Sequence, residues 1–175
     1  MIVRQNIENG LYDWASTVIN NIQWIFVKQN APVPQNPFGT IYVTGINTLG
    51  QDVVRYEYDS GTDNLNEFVE GPRLIRADFN IFGNGAFDLM SQLRASVAQT
   101  EFNIQLMNFG LAFIESSEIN DLTEIISSTW NERAQIELRF YVTSQYSAPI
   151  VRIAEVNIAG NIQPNDIDIN IKVMS

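Results

Sequence analysis

Apolar residues recur near the start of the chain at Leu11, Trp14, Ala15, Val18, Ile19 and Ile22. That i, i+3, i+4, i+7, i+8, i+11 spacing gathers all six on one stripe of a helix. Asn6 or Asn9 offers a cap, and Gly10 blurs the start. Residues 24–27 read as a short buried strand. Pro32, Pro34 and Pro37 then stiffen residues 31–37 into a connector, because each fixes φ and withholds an N–H donor. From Phe38 the period changes to two. Residues 40–46 and 53–58 read as strands paired with each other across Thr48-Leu-Gly-Gln51. The polar stretch from Asp59 to Glu70 reads as a long exposed loop.

Residues 74–82 predict a half-buried strand, with Ile75, Ala77, Phe79 and Ile81 on one face and Arg76, Asp78 and Asn80 on the other. Gly83-Asn-Gly85 ends it and opens a second helix lined by Ala86, Leu89, Met90, Leu93 and Val97. Residues 101–107 suit either a last helical turn or a short strand, 110–115 a strand, and 116–128 a short helix or an irregular crossing. Trp130, Ala134, Ile136, Leu138, Phe140 and Val142 share the parity of a long strand, interrupted by Glu132. Residues 150–158 are a further strand. In 166–173, Ile167, Ile169, Ile171 and Val173 alternate with Asp166, Asp168, Asn170 and Lys172. The layout predicts an α+β fold, a mainly antiparallel or mixed β-sheet carrying two principal helices. Residues 1–160 form one domain in this reading, and 161–175 a C-terminal strand available to its own sheet or to a neighbouring subunit.

Composition narrows the functions open to such a domain. With 175 residues, 45% hydrophobic, the chain can build a core without staples. Twenty-two Ile and ten Phe exclude a disordered polymer. No apolar run reaches the roughly 18–20 residues of a membrane span, and the first ten residues lack the build of a signal peptide, so the expected setting is the cytosol. There is no Cys and no His, which removes thiolate chemistry, the usual zinc sites, and the commonest general base. A net charge of −10 argues against a protein that grips nucleic acid.

The remaining chemistry rests on carboxylates. Asp78 beside Arg76 and Glu137 beside Arg139 form the best acidic pair for a hydrolase, and ion pairing across a sheet explains the same residues more simply. Asp59, Asp63, Asn64, Asn66 and Glu67 are oxygen donors of the kind Ca²⁺ takes, as are Asn165, Asp166 and Asp168. Neither set has the alternation of an EF-hand loop, and Asx-rich turns account for both. Gly83-Asn-Gly85 lacks the third glycine and the lysine of a phosphate cradle. Arg55-Tyr56-Glu57-Tyr58 alternates as a strand does. No cofactor or metal is expected.

Four stretches, in order, carry a resemblance. They are Leu11-Tyr-Asp-Trp14; residues 30–37 followed by Tyr42-Val-Thr44; Gly71-Pro-Arg73 leading to Phe79-Asn-Ile-Phe-Gly83; and Gly110-Leu-Ala112, then Asp121-Leu-Thr123 and Trp130-Asn-Glu-Arg-Ala134. Together the chain resembles the neck or tail terminator (tail-completion) proteins of tailed bacteriophages, with no counterpart for 160–175. The resemblance implies a terminator-like fold and a non-enzymatic virion protein at the head–tail junction, assembled in the host cytoplasm. It also implies a homo-oligomeric ring, usually a hexamer, that caps the tail tube and joins tail to head. Implied partners are the tail tube protein, head-completion or neck proteins, the sheath protein where the tail contracts, and genomic DNA in transit; a membrane is not among them. A small carboxylate-based phage hydrolase and a minor tail or baseplate binding module are the alternatives. Candidate interface residues are Asp59, Asp63, Asn64, Glu67 and Glu70 in the polar loop, expected to contact a neighbour or line the lumen, and Ile167, Ile169, Ile171 and Val173 in the last strand.

Overall fold

The computed structural model describes residues 4–28, 32–59, 61, 64–126, 128–150, 155–162 and 165–172. Helix α1 (Arg4–Val18) turns its stripe inward, burying Leu11, Trp14, Ala15 and Val18. It begins well before the expected caps, so Asn6, Asn9 and Gly10 lie inside it. Gly10 is there for space: a Cβ would stand 2.7 Å from Cγ of Phe109.

Strand β1 (Gln23–Phe26) runs parallel to β2 (Phe38–Thr48), and the proline connector supplies the crossover that a parallel pair requires. The long strand β4 (Asn64–Phe82) forms the spine. Along one edge it pairs β2 from Arg73 to Phe82 and β3 (Val53–Asp59) from Asn64 to Glu70. The expected pairing of 40–46 with 53–58 is therefore corrected. The two segments lie end to end along the same side of β4, broken at 49–52, with β1 on the other side of β2. The expected loop 59–70 is corrected too, because Asn64, Glu67 and Glu70 belong to β4 and the connection shrinks to 60–63. Polar composition was misleading there, since a strand exposed on one face admits polar residues at every second position.

Helices α2 (Ala86–Ser96) and α3 (Thr100–Asn108) follow. The ambiguous 101–107 is thus a third helix, anchored through buried Leu106. Then come β5 (Ala112–Ser116), β6 (Asn120–Asp121), β7 (Glu124–Ile126), β8 (Thr129–Asn131) and β9 (Arg133–Ile150). Strand β9 pairs β4 antiparallel in one unbroken register from Leu65↔Ile150 to Phe82↔Arg133. The main sheet has the order β1-β2-β4-β9-β5, with β3 on β4 and β6 on β9; β7 and β8 form a separate ribbon. Trp130, expected in the long strand's core parity, stands on that ribbon and is 69% exposed. Strands β10 (Glu155–Ile162) and β11 (Asn165–Lys172) form a third sheet of two strands. The fold is α+β, with a mixed, mostly antiparallel sheet.

The core lies between the helices and one face of the sheet: Ile75, Ala77, Phe79 and Ile81 of β4 face inward beside Ala134, Ile136, Leu138 and Phe140 of β9. Trp14 is fully buried among them, edge-on to Phe79 (5.6 Å) and Phe140 (6.2 Å), and its indole donates to Ser96 Oγ at 3.2 Å. That bond ties α1 to the end of α2 and satisfies the indole N–H that burial would otherwise strand.

Candidate functional site

Beyond Gly71 the spine outruns the helices. There β3, residues 64–71 of β4 and residues 143–150 of β9 continue as a three-stranded arm in the same registers. Because side chains alternate and no bulge intervenes, the core face of the body continues outward as one face of the arm. Val54, Tyr56, Tyr58, Leu65, Val69, Tyr146 and Ile150 share it by register. With no helix above it among the described residues, Tyr56 is 56% exposed, Tyr146 55% and Val54 47%.

The opposite face of the arm is mixed, with Val53, Phe68 and Pro149 among charged and amide residues. Arg55 forms ion pairs with Glu57 and Glu70 and lies over the Phe68 ring at 4.6 Å. Glu70 also accepts from Gln145 at 2.6 Å. Asp59 and Asn64 share this face at the arm's tip, whereas Glu67 sits on the apolar face, where it accepts from the Tyr56 hydroxyl at 3.2 Å and raises the phenol's pKa. The predicted interface residues Asp59, Asn64, Glu67 and Glu70 are thus brought into one arm but split between its faces. Asp63 lies outside the described residues. Sequence reasoning missed the apolar face itself, although the alternation of Val54, Tyr56 and Tyr58 with Arg55 and Glu57 was a usable signal.

The Gly71-Pro-Arg73 motif builds the root of the arm. Arg73 grips Asp52 with two bonds of 2.6 and 2.7 Å, and this pairing holds the carboxyl below its usual range. Asp52 lies over Gly71, where any Cβ would collide with its carboxylate. The carbonyl of Pro72 accepts from Leu49 N–H at 3.0 Å, and proline has no N–H of its own to offer on that edge. Pairing along this side of β4 consequently breaks here, between β2 and β3.

At the other end of the spine, Glu132 and Arg133 close a corner. Gly83 and Gly85 both adopt positive φ (103° and 77°). The Gly83 N–H donates to the Glu132 carbonyl at 2.9 Å, and Gly85 N–H to its carboxylate at 2.7 Å. A side-chain carboxylate thus occupies the helix-start amide that a phosphate cradle would use. Arg133 donates to Asn80 Oδ1 at 2.9 Å and lies 5.0 Å over Phe82.

Asp78 and Glu137 stand directly opposite each other on the face away from the helices, and Arg76 opposite Arg139. Like charges therefore face like between β4 and β9, which corrects the expected ion pairing for those two strands. The ion pairs run instead along β9, from Arg139 to Glu137 at 2.8 Å, and across to Glu115 on β5 at 2.5 Å. Burial first, and then the nearby Glu137, raise the pKa of Asp78 against the pull of Arg76. Among the described residues, no three acidic side chains converge as a metal site would require. Asn165, Asp166 and Asp168 occupy an extended strand, in which Asn165 and the two aspartates fall on opposite faces.

The predicted residues Ile167, Ile169 and Ile171 occupy β11, which pairs β10 rather than the main sheet; Val173 lies outside the described residues. Their register partners are Gly160, Ile158 and Val156.

An α+β body whose spine extends into an arm with an exposed apolar face presents a surface suited to contact with other proteins. The model of the phage neck terminator protein family matches residues 5–165, and the chain belongs to that family. It is accordingly a structural virion component of the head–tail junction that associates with other head or tail components. Comparison with curated proteins gives no match. Within the matched span, the stretches singled out in the sequence serve structural ends: Trp14 joins the helices, Gly71-Pro-Arg73 roots the arm, and Glu132 and Arg133 lock the corner.

Proposed function

We propose that this chain is the terminator of the tail, forming a homo-oligomeric ring, with six copies as the expected number. The ring caps the tail tube and joins the tail to the head-completion proteins. A sheath protein is a further partner where the tail contracts. The observation that carries this reading is the family match over residues 5–165. Charge supports the passage of DNA: at −10 the subunit presents a surface that repels phosphate weakly instead of holding it, so the genome stays mobile in transit. Residues 1–160 act as the ring-forming unit in this reading and 161–175 as an element for neighbours, with assembly completed in the host cytoplasm.

Imaging of assembled particles tests the proposal. Density for this chain is expected as a closed ring between the tube and the head-completion proteins. Placement at the distal tip or on fibres refutes it.

A further inference from the structure

We infer that the free chain dimerises edge to edge, strand β3 of one copy pairing antiparallel with β3 of a second about a two-fold axis at Tyr56. Among the described residues β3 pairs β4 along one side, and its other side meets no strand. All seven of its residues are exposed, its register with β4 is unbroken, and no glycine or proline interrupts it. The other outer strands of the main sheet are blunted. β1 has four residues, β6 two, and β5 five with a register shift between Phe113 and Glu115. The outer side of residues 143–150 of β9 carries Pro149, which has no N–H to donate. An exposed edge of seven unbroken residues is a template for another strand.

This chain cannot supply that strand itself. Every described strand has its partners in the topology, and β4 is the only one that pairs β3. Runs outside the described residues are at most four long, too short to match seven. A second copy fits because β3 reads with the same chemistry in both directions from Tyr56. Antiparallel pairing centred there sets Tyr56 opposite Tyr56 of the second copy, Val54 opposite its Tyr58, and Arg55 opposite its Glu57. Each copy already joins its own Arg55 to Glu57, so the two ion pairs close into a square of alternating charge. Centring on Arg55 or Glu57 would set like charges face to face, and a slip of one residue would set apolar positions against charged ones. Residues 143–150 hold no charged residue, so that edge offers Arg55 and Glu57 no counter-charge.

The two-fold axis stands perpendicular to the sheet, because residues opposite each other in a ladder share a face. The two three-stranded arms therefore join as one sheet, with Val54, Tyr56 and Tyr58 of both copies on the same side. A two-fold contact uses the same patch on both partners and closes at two copies. It belongs to the chain before ring formation, and so goes beyond the ring reading without depending on it. Pairing also protects an edge that otherwise invites aggregation.

The chain contains no cysteine, so a single introduced cysteine can form only an interchain disulfide. Purified full-length chain is sized by sedimentation, and its Tyr56→Cys and Val54→Cys variants are oxidised and run on a non-reducing gel. The expected result is a dimer mass, with Tyr56→Cys trapped as a covalent dimer. Directly opposed Cα atoms stand about 4.5–5.5 Å apart, within disulfide reach. Val54 shares that face and is also exposed, but lies four residues out of register with its counterpart, about 13 Å along the strand. Val54→Cys is therefore expected to run as monomer on the gel. Arg55→Glu and Glu57→Arg are each expected to shift the mass to monomer, since like charges then face each other. Mixing the two variants is expected to restore the dimer, because only the mixed pair is matched, and that recovery shows both are folded. A monomer mass for the unmodified chain overturns the inference, as do equal trapping at both cysteines and a dimer of either charge variant alone. A ring-sized mass without the Tyr56→Cys disulfide overturns it and leaves the ring standing. Failure of the ring reading is seen separately, in where this chain lies in particles.

Discussion

Glu132 is the most informative single residue to remove. Its carboxylate is the acceptor for the Gly85 N–H at 2.7 Å, at the first turn of α2, and Gly85 has no side chain of its own to cap that turn. The backbone bond from Gly83 to the Glu132 carbonyl survives any substitution, so the loss isolates the carboxylate. Losing a helix cap costs about 1 kcal/mol, and a charged acceptor near the positive helix end adds roughly 0.3–1 kcal/mol. Glu132 is only half-buried, so Glu132→Ala is expected to lose about 1–2 kcal/mol, the net worth of one charge-assisted bond in such a setting. Glu132→Gln keeps an oxygen acceptor and should lose roughly half as much. For a chain of this size, the alanine variant corresponds to a fall in Tm of about 3–6 °C. Urea unfolding followed by tryptophan fluorescence reads the change, because Trp14 and Trp24 are buried and report on the core. An alanine variant within about 0.3 kcal/mol of the parent, below the smallest cap effect expected, would refute the reasoning. A glutamine variant as damaged as alanine would show that charge, not hydrogen bonding, accounts for the whole effect.

Other expectations follow from the same geometry. Gly10→Ala should destabilise by about 1–3 kcal/mol through overpacking against Phe109, although Ala is the better helix former; in a Phe109→Ala background its sign should reverse, as a thermal-melt cycle can check. Asp78 holds its proton to higher pH when folded than when unfolded, so its contribution is greatest below 3.8 and is lost as pH rises through the raised folded value. Asp78→Asn should therefore raise Tm at pH 7 and leave it unchanged near pH 3; an equal change at both would contradict this. Asp52 runs the other way, its contribution being lost as pH falls below 3.8. Arg73→Lys removes the two-bond grip on Asp52 and should speed amide exchange in residues 49–52 selectively, with the core amides of β4 unaffected.

Local pattern determined a large part of this protein. The 3.6-residue stripe on α1 identified Leu11, Trp14, Ala15 and Val18 as core, and the alternation in β4 and β9 identified Phe79, Ile136 and Phe140. Such periodicity records which side of an element meets water, and that survives in any arrangement that buries the stripe. The α+β class and the absence of His and Cys chemistry were equally legible. Alternation carries no record of partner, however. That β2 and β3 share one edge of β4 depends on Pro72, Gly71 and the Arg73–Asp52 clamp acting together at the point where the ladder breaks. The bond from Gly85 to Glu132 joins residues 47 apart, beyond any window of local pattern. The arm was hidden for a related reason. Its residues repeat the period of the buried strands, and only the extent of the helical layer decides where that face stops being core and starts being surface.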